Sequence, residues 1–269
     1  MYVDDWDLST FQAYPPFTRT GQIIKSSGFQ YPLGIFVDNA STIYMVDRNQ
    51  NNGHVYIQRS GTTIVTIPPS GSSPSSCLTT GIYSAYDIAV DRSGNAYISL
   101  FSCYAVIKWP VNATSGVVVA GQLGNWGSTN TQLGLAGAIF LDEDRNALYV
   151  SDFNNNRTQR FTIGGNGSAI TLAGNGTSGK ALNQLNAPGG TWVTRDGQTL
   201  YVADYYNNRV MKWTIGASQG SVVAGDVNGT SGNTSQRLYY PNDVSLDPTE
   251  TYLYVSDYGN HRVQRFRLK

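Results

Sequence analysis

The residues best equipped for chemistry recur as one short phrase. Tyr201-Val-Ala-Asp-Tyr-Tyr-Asn-Asn-Arg209 matches Tyr149-Val-Ser-Asp-Phe-Asn-Asn-Asn-Arg157 and Tyr254-Val-Ser-Asp-Tyr-Gly-Asn-His-Arg262. Each copy puts a carboxylate five residues before a guanidinium, as Asp152 and Arg157, Asp204 and Arg209, and Asp257 and Arg262. That spacing across a tight turn suits a charge-assisted hydrogen bond that pins the turn. The intervening Asn residues tolerate the left-handed backbone such turns need. A pair present in every good copy reads as structural, since a catalytic group would occur once.

The position after the anchor carries Trp6, Arg48, Phe101, Phe153, Tyr205 and Tyr258, five of them aromatic. With Tyr206, Tyr104 and Trp126, these rings are expected to line one face and to suit a protein, peptide or glycan ligand. The competing expectation is that each ring packs on the neighbouring connection. Asp87 and Asp243 fill equivalent positions where other copies have Gly34, Ala138 and Gly190. Two carboxylates near a central channel could contribute oxygen ligands to Ca²⁺. The plainer expectation for both is hydrogen bonding to an adjacent repeat, and no other cofactor is implied. His54 and His261 are the only histidines. Two in separate repeats argue against a metal-dependent lyase of the kind that uses several. No Ser-His-Asp set can be assembled.

These side chains sit in a regular frame. The anchor positions are Asp5, Asp47, Leu100, Asp152, Asp204 and Asp257, spaced by 42, 53, 52, 52 and 53 residues. Each period reads as four short β-branched or aromatic segments bounded by turn residues. The first segments include Pro32-Leu-Gly-Ile-Phe-Val37, Pro188-Gly-Gly-Thr-Trp-Val193 and Pro241-Asn-Asp-Val-Ser-Leu246. Four strands at this period predict an all-β fold, a β-propeller of four-stranded antiparallel blades. The blades fall near 1–30, 31–80, 81–130, 131–182, 183–235 and 236–269, as one domain over 1–269. Six blades with an incomplete seam are preferred. The alternative is five, with Gly21-Gln-Ile-Ile24 closing the last one as its outer strand.

The phrase Tyr-Val-Ala-Asp-x-x-Asn-x-Arg-Val, preceded by Pro-x-Gly/Asp-Val/Ile-x-Val-Asp, resembles the NHL repeat. Asn260-His261-Arg262-Val263 comes nearest to the motif. The resemblance covers nearly the whole chain and is strongest from about residue 131. It implies a propeller, usually of six blades. It leaves the activity open, because this scaffold hosts unrelated roles. Leu100 and Ala105 depart from the pattern, and residues 48–53 carry a two-residue insertion.

The repeat gives the cysteines a context. Cys103 aligns with Asn207 in the loop after the second strand, and Cys77 lies in the connection entering the same blade. Both belong on one face, so a bridge is expected to replace the pin that Leu100 and Ala105 cannot make. The alternative is two free thiols.

Composition bounds the rest. Eighteen basic residues balance eighteen acidic ones, and charged residues are 13% of the chain. Nothing in that balance supplies a basic field for a phosphate backbone, which disfavours nucleic acid, although a local patch would permit RNA. No apolar run is long enough to span a bilayer as a helix. Seven Asn-x-Ser/Thr sequons, at Asn39, Asn112, Asn156, Asn166, Asn175, Asn228 and Asn233, exceed the roughly four expected by chance. They point to a secreted chain or the ectodomain of a larger protein. Residues 1–10 read like the interior of a fold, so the chain is expected to be a piece of a longer one. The leading expectation is a non-enzymatic binding propeller. A channel-metal lyase or hydrolase is the second reading and RNA binding the third.

Overall fold

A computed structural model describes residues 2–5, 10–13, 22–25, 31–48, 53–59, 62–67 and 76–268. These residues fall into two compact units, Met1–Asn125 and Trp126–Lys269. In the first unit, the first sheet holds Tyr2–Asp5, Thr10–Ala13 and Gln22–Lys25. The second sheet holds Pro32–Val37, Ile43–Asp47, His54–Arg59 and Thr62–Ile67. Ala85–Val90, Ala96–Leu100, Ala105–Trp109 and Val117–Gly121 form the third.

In the second unit, the fourth sheet holds Ala136–Asp142, Ala147–Asp152, Arg157–Thr162 and Ala169–Ala173. The fifth holds Pro188–Val193, Thr199–Asp204, Arg209–Thr214 and Ser221–Gly225. Pro241–Leu246, Tyr252–Asp257 and Arg262–Arg267 make the last.

Each sheet is an antiparallel meander of consecutive strands, the blade of a β-propeller. Four sheets carry all four strands, and the sheets at the two ends of the chain carry three among the described residues. The preferred expectation of six blades with an incomplete seam is thus met only in part: the described residues form four complete four-stranded blades and a three-stranded sheet at each end of the chain. Gln22–Lys25, which overlaps the Gly21–Ile24 segment considered as an outer strand for the last sheet, pairs with Thr10–Ala13 in the first.

The sequence periods explain the packing. Where the side chains are described, strand residues facing a neighbouring sheet are mainly apolar;. In the first unit, Tyr44, Val46 and Val55 of the second sheet pack with Ile88, Ile98, Ile107 and Trp109 of the third. In the second unit, Tyr149 and Leu172 meet Leu200, Met211 and Trp213. Tyr201 and Val210 meet Val244, Leu253 and Val255. Burying one such side chain contributes about 1.5–3 kcal/mol.

First strands begin with a register shift, as at Pro32/Ile35, Ala85/Asp87, Pro188/Thr191 and Pro241/Asp243. First strands of adjacent sheets approach closely there. A Cβ on Gly34 would lie 2.7 Å from the Cα of Asp87, and one on Gly190 would lie 2.7 Å from the Cα of Asp243. Glycine in one blade thus makes room for the aspartate of the next.

Candidate functional site: the aromatic turn face

Antiparallel register sets the turns up. Asp152 pairs with Arg157, Asp204 with Arg209 and Asp257 with Arg262 across the second and third strands. A one-turn 3₁₀ helix fills each gap, at Phe153–Asn155, Tyr205–Asn207 and Tyr258–Asn260. Each ends on a left-handed residue, Asn156, Asn208 or His261, at φ of 51°, 51° and 52°.

The anchor carboxylate is the hub of the turn. Arg157 Nε donates to Asp152 Oδ2 at 2.8 Å, Arg209 Nε to Asp204 at 2.8 Å, and Arg262 Nε to Asp257 at 2.7 Å. The Asn three residues after the anchor adds donors, Asn155 to Asp152 and Asn207 to Asp204. The same carboxylates accept the backbone N–H of Gly134, Asn186 and Tyr239 in the connection upstream. The guanidiniums donate onward to carbonyls of that connection, from Arg157 to Thr129, Arg209 to Lys180 and Arg262 to Asn233. Each ion pair therefore ties the connection to its own blade. Burial raises the Asp152 and Asp204 carboxyls above their ordinary value, and the donated hydrogen bonds oppose it;.

The Asn directly before the Arg reaches the next blade. Asn156 Oδ1 accepts the N–H of Ala187, and Asn208 Oδ1 that of Tyr240, both at 3.0 Å. Ala187 and Tyr240 have positive φ, 54° and 51°, and directly precede Pro188 and Pro241. Sequence reasoning gave these asparagines only a turn role. Their spacing from the next Pro was the available signal.

Two blades of the first unit use other means. In the second sheet His54 stands in register with Asp47. Burial lowers its pKa and Asp47 opposes the shift. In the third sheet Leu100 faces Ala105, and Cys77 and Cys103 form a disulfide across 26 residues.

The aromatic residues divide by unit. Trp6 lies outside the described residues. In the first unit Phe101 stacks on Tyr86 at 5.1 Å, and the Arg48 guanidinium lies 5.5 Å from its centroid. Here the ring packs locally. In the second unit the rings gather. Tyr205 stacks on Tyr240 at 4.9 Å and 13°, and Tyr240 on Tyr239 at 4.3 Å and 30°. Tyr206 stands nearly perpendicular to Tyr205, at 77°, and to Tyr240, at 87°. Phe153 meets Tyr205 at 6.3 Å and Tyr206 at 6.4 Å.

Tyr206 is 50% exposed, Tyr258 42% and Tyr239 37%, while Tyr205 and Tyr240 are half-buried. Tyr205 has its pKa pushed up to about 12 by burial, and the phenols of Tyr258, Tyr206, Tyr240 and Tyr239 add to the shift. Tyr239 and Tyr240 were missed from sequence. They belong to the connection before Pro241, and Tyr31 before Pro32 repeats the pattern.

Asp87 and Asp243 lie in different units. Each Oδ1 accepts the backbone N–H of the next residue, Ile88 or Val244, at 2.8 Å. Among the described residues no group of three or more His, Cys, Asp or Glu side chains is placed to hold a metal.

A family model described as NHL repeat matches residues 238–266. No curated protein matches the chain. A solved protein of unknown function from Bacteroides thetaiotaomicron is similar at a TM-score of 0.73 and 16% identity, over 100% of this chain and 66% of that one. An auxiliary nutrient binding protein from the same organism is similar at 0.68 and 15%, over 95% of this chain and 63% of that one. A streptogramin B lyase is similar at 0.62 and 15%, over 100% of this chain and 79% of that one. The chain spans about two thirds of the length of the first two. Likeness at these identities is one of fold.

Proposed function

From the premise that the chain is a β-propeller carrying the NHL repeat, we propose that it is a non-enzymatic binding protein, a single domain over 1–269. Its aromatic turn face takes a protein, peptide or glycan. One observation carries this reading. The second unit holds five mutually packed rings, Phe153, Tyr205, Tyr206, Tyr239 and Tyr240, with Tyr206 and Tyr239 exposed. Exposed Tyr is costly to solubility and effective at interfaces, because it buries a large rigid area and keeps a polar tip. The ion pairs beneath hold the turns that carry the rings, so the surface is built before a ligand arrives.

The solved nutrient-binding protein gives the fold a precedent for binding. A secreted or ectodomain setting belongs to the same reading. The Cys77–Cys103 disulfide favours an oxidising compartment;. Six of the seven sequon asparagines are exposed, at Asn39, Asn112, Asn166, Asn175, Asn228 and Asn233. Asn156 is occupied in the turn by its bond to Ala187.

The test compares the wild-type chain with a Phe153→Ala, Tyr205→Ala, Tyr258→Ala variant on arrays of immobilised peptides and glycans. Loss of the wild-type signals with an unchanged far-ultraviolet spectrum is expected. Equal binding by both proteins, or none by the wild type, would overturn the reading.

A further inference from the structure

The ring cluster narrows the ligand through its shape and its lack of charge. Five segments supply the face: 153–156, 186–188, 205–208, 238–242 and 258–261. Their sequences are Phe-Asn-Asn-Asn, Asn-Ala-Pro, Tyr-Tyr-Asn-Asn, Leu-Tyr-Tyr-Pro-Asn and Tyr-Gly-Asn-His. They contain no Asp, Glu, Lys or Arg. The Arg and Asp side chains of the same turns pair with each other.

An anionic ligand would find no permanent cation on these segments, and a cationic one no carboxylate. What they offer is aromatic area, phenol hydroxyls and amides. The exposed area has two orientations. Tyr239, Tyr240 and Tyr205 form a stack of near-parallel rings, and Tyr206 stands across it. Tyr239 is exposed at one end of the stack, and Tyr206 exposes half its surface beside it.

We propose that this face binds a neutral saccharide, with sugar C–H faces laid against Tyr239 and Tyr206 and ring hydroxyls bonded to the phenols and to the exposed Asn154 edge. The inference rests on the binding reading above and names the ligand class of that same face. Phenols and amides both donate and accept, and so do sugar hydroxyls. A proline-rich peptide would share the ring contact. Its backbone offers mainly carbonyl acceptors, which leaves the accepting half of the amide rim without partners. A phenol is uncharged at neutral pH; burial raises the Tyr205 pKa further, and the hydrogen bond to Tyr240 shifts Tyr239, at the other end of the stack, the same way.

The experiment titrates the full chain with soluble neutral oligosaccharides of glucose, galactose, mannose and N-acetylhexosamines. Sialylated oligosaccharides and a proline-rich decapeptide are run beside them. Tyr206→Ala and Tyr239→Ala are the test variants, because both side chains are exposed and outside the ion-pair network. At least one neutral series is expected to bind. Its Kd should weaken at least about tenfold in each variant and stay constant between about 50 and 500 mM salt.

Binding of the decapeptide alone, lost in the same variants, would overturn the saccharide assignment and leave the binding face standing. Preference for the sialylated series would do the same. Neutral sugars that bind equally to wild type and variants would overturn both the assignment and the face. Binding of no probe would also count against both.

Discussion

At the residue scale the ion pairs differ in how far they are withdrawn from water. The Arg209 and Asp204 side chains are both 0% exposed, whereas Arg262 beside Asp257 is 31% exposed. Removing a carboxylate from a buried pair leaves an uncompensated charge, at about 3–5 kcal/mol. Asp204→Ala should therefore cost about that much, and Asp257→Ala distinctly less, in urea denaturation of the two variants. Equal losses would show that the carboxylate acts mainly through its other hydrogen bonds. The pairs were legible because five residues across a turn place the ends of two strands side by side. The acceptors farther out were not. Lys180, Ala181 and Gln184 receive Arg209 through main-chain oxygens, which leave no mark in the side-chain sequence. Tyr239 and Tyr240 escaped for a related reason. They sit outside the repeated phrase, and only packing brings them to Tyr205.

At the element scale the third sheet isolates what a cross-link does. Its second and third strands meet at Leu100 and Ala105, which carry no charge. Cys103 is buried in the turn, and its partner Cys77 belongs to the incoming connection. The disulfide thus joins the same two elements that the anchor aspartates join elsewhere. A Cys77→Ser, Cys103→Ser variant should lose about 2–4 kcal/mol on denaturation, and reductant should destabilise the wild type and leave the variant unaffected. An insensitive wild type would mean that the bridge contributes nothing to the fold. The pairing could be argued from the repeat because alignment put Cys103 where Asn207 sits. The second sheet was harder to foresee. His54 takes the Arg position there, with its Nδ1 buried and unpartnered among the described residues.

At the scale of the whole molecule, periodicity made the strand plan readable. Apolar alternation and turn residues recur every ~52 residues, and the described sheets follow that plan. What periodicity leaves out is how much of a repeat stands at each end of the chain, since a period carries no information about its own first and last copy. Three strands in the first and last sheets, among the described residues, reflect this. The connections between sheets show a further effect of the pins. In the second unit they have almost no regular strand, yet Gly134, Asn186 and Tyr239 give their N–H groups to buried carboxylates. Amide exchange reports the free energy of local opening. These three amides should exchange as slowly as those of the neighbouring strands, while the exposed hairpin tips at Gly164 and Gly216 exchange fast. Mass spectrometry of peptides covering 126–187 and 212–241 would read the contrast, and rapid exchange at all three amides would contradict it. Segments that look like loosely tethered surface chain would then behave, on the clock of solvent protons, as part of the protein's slowest-opening interior.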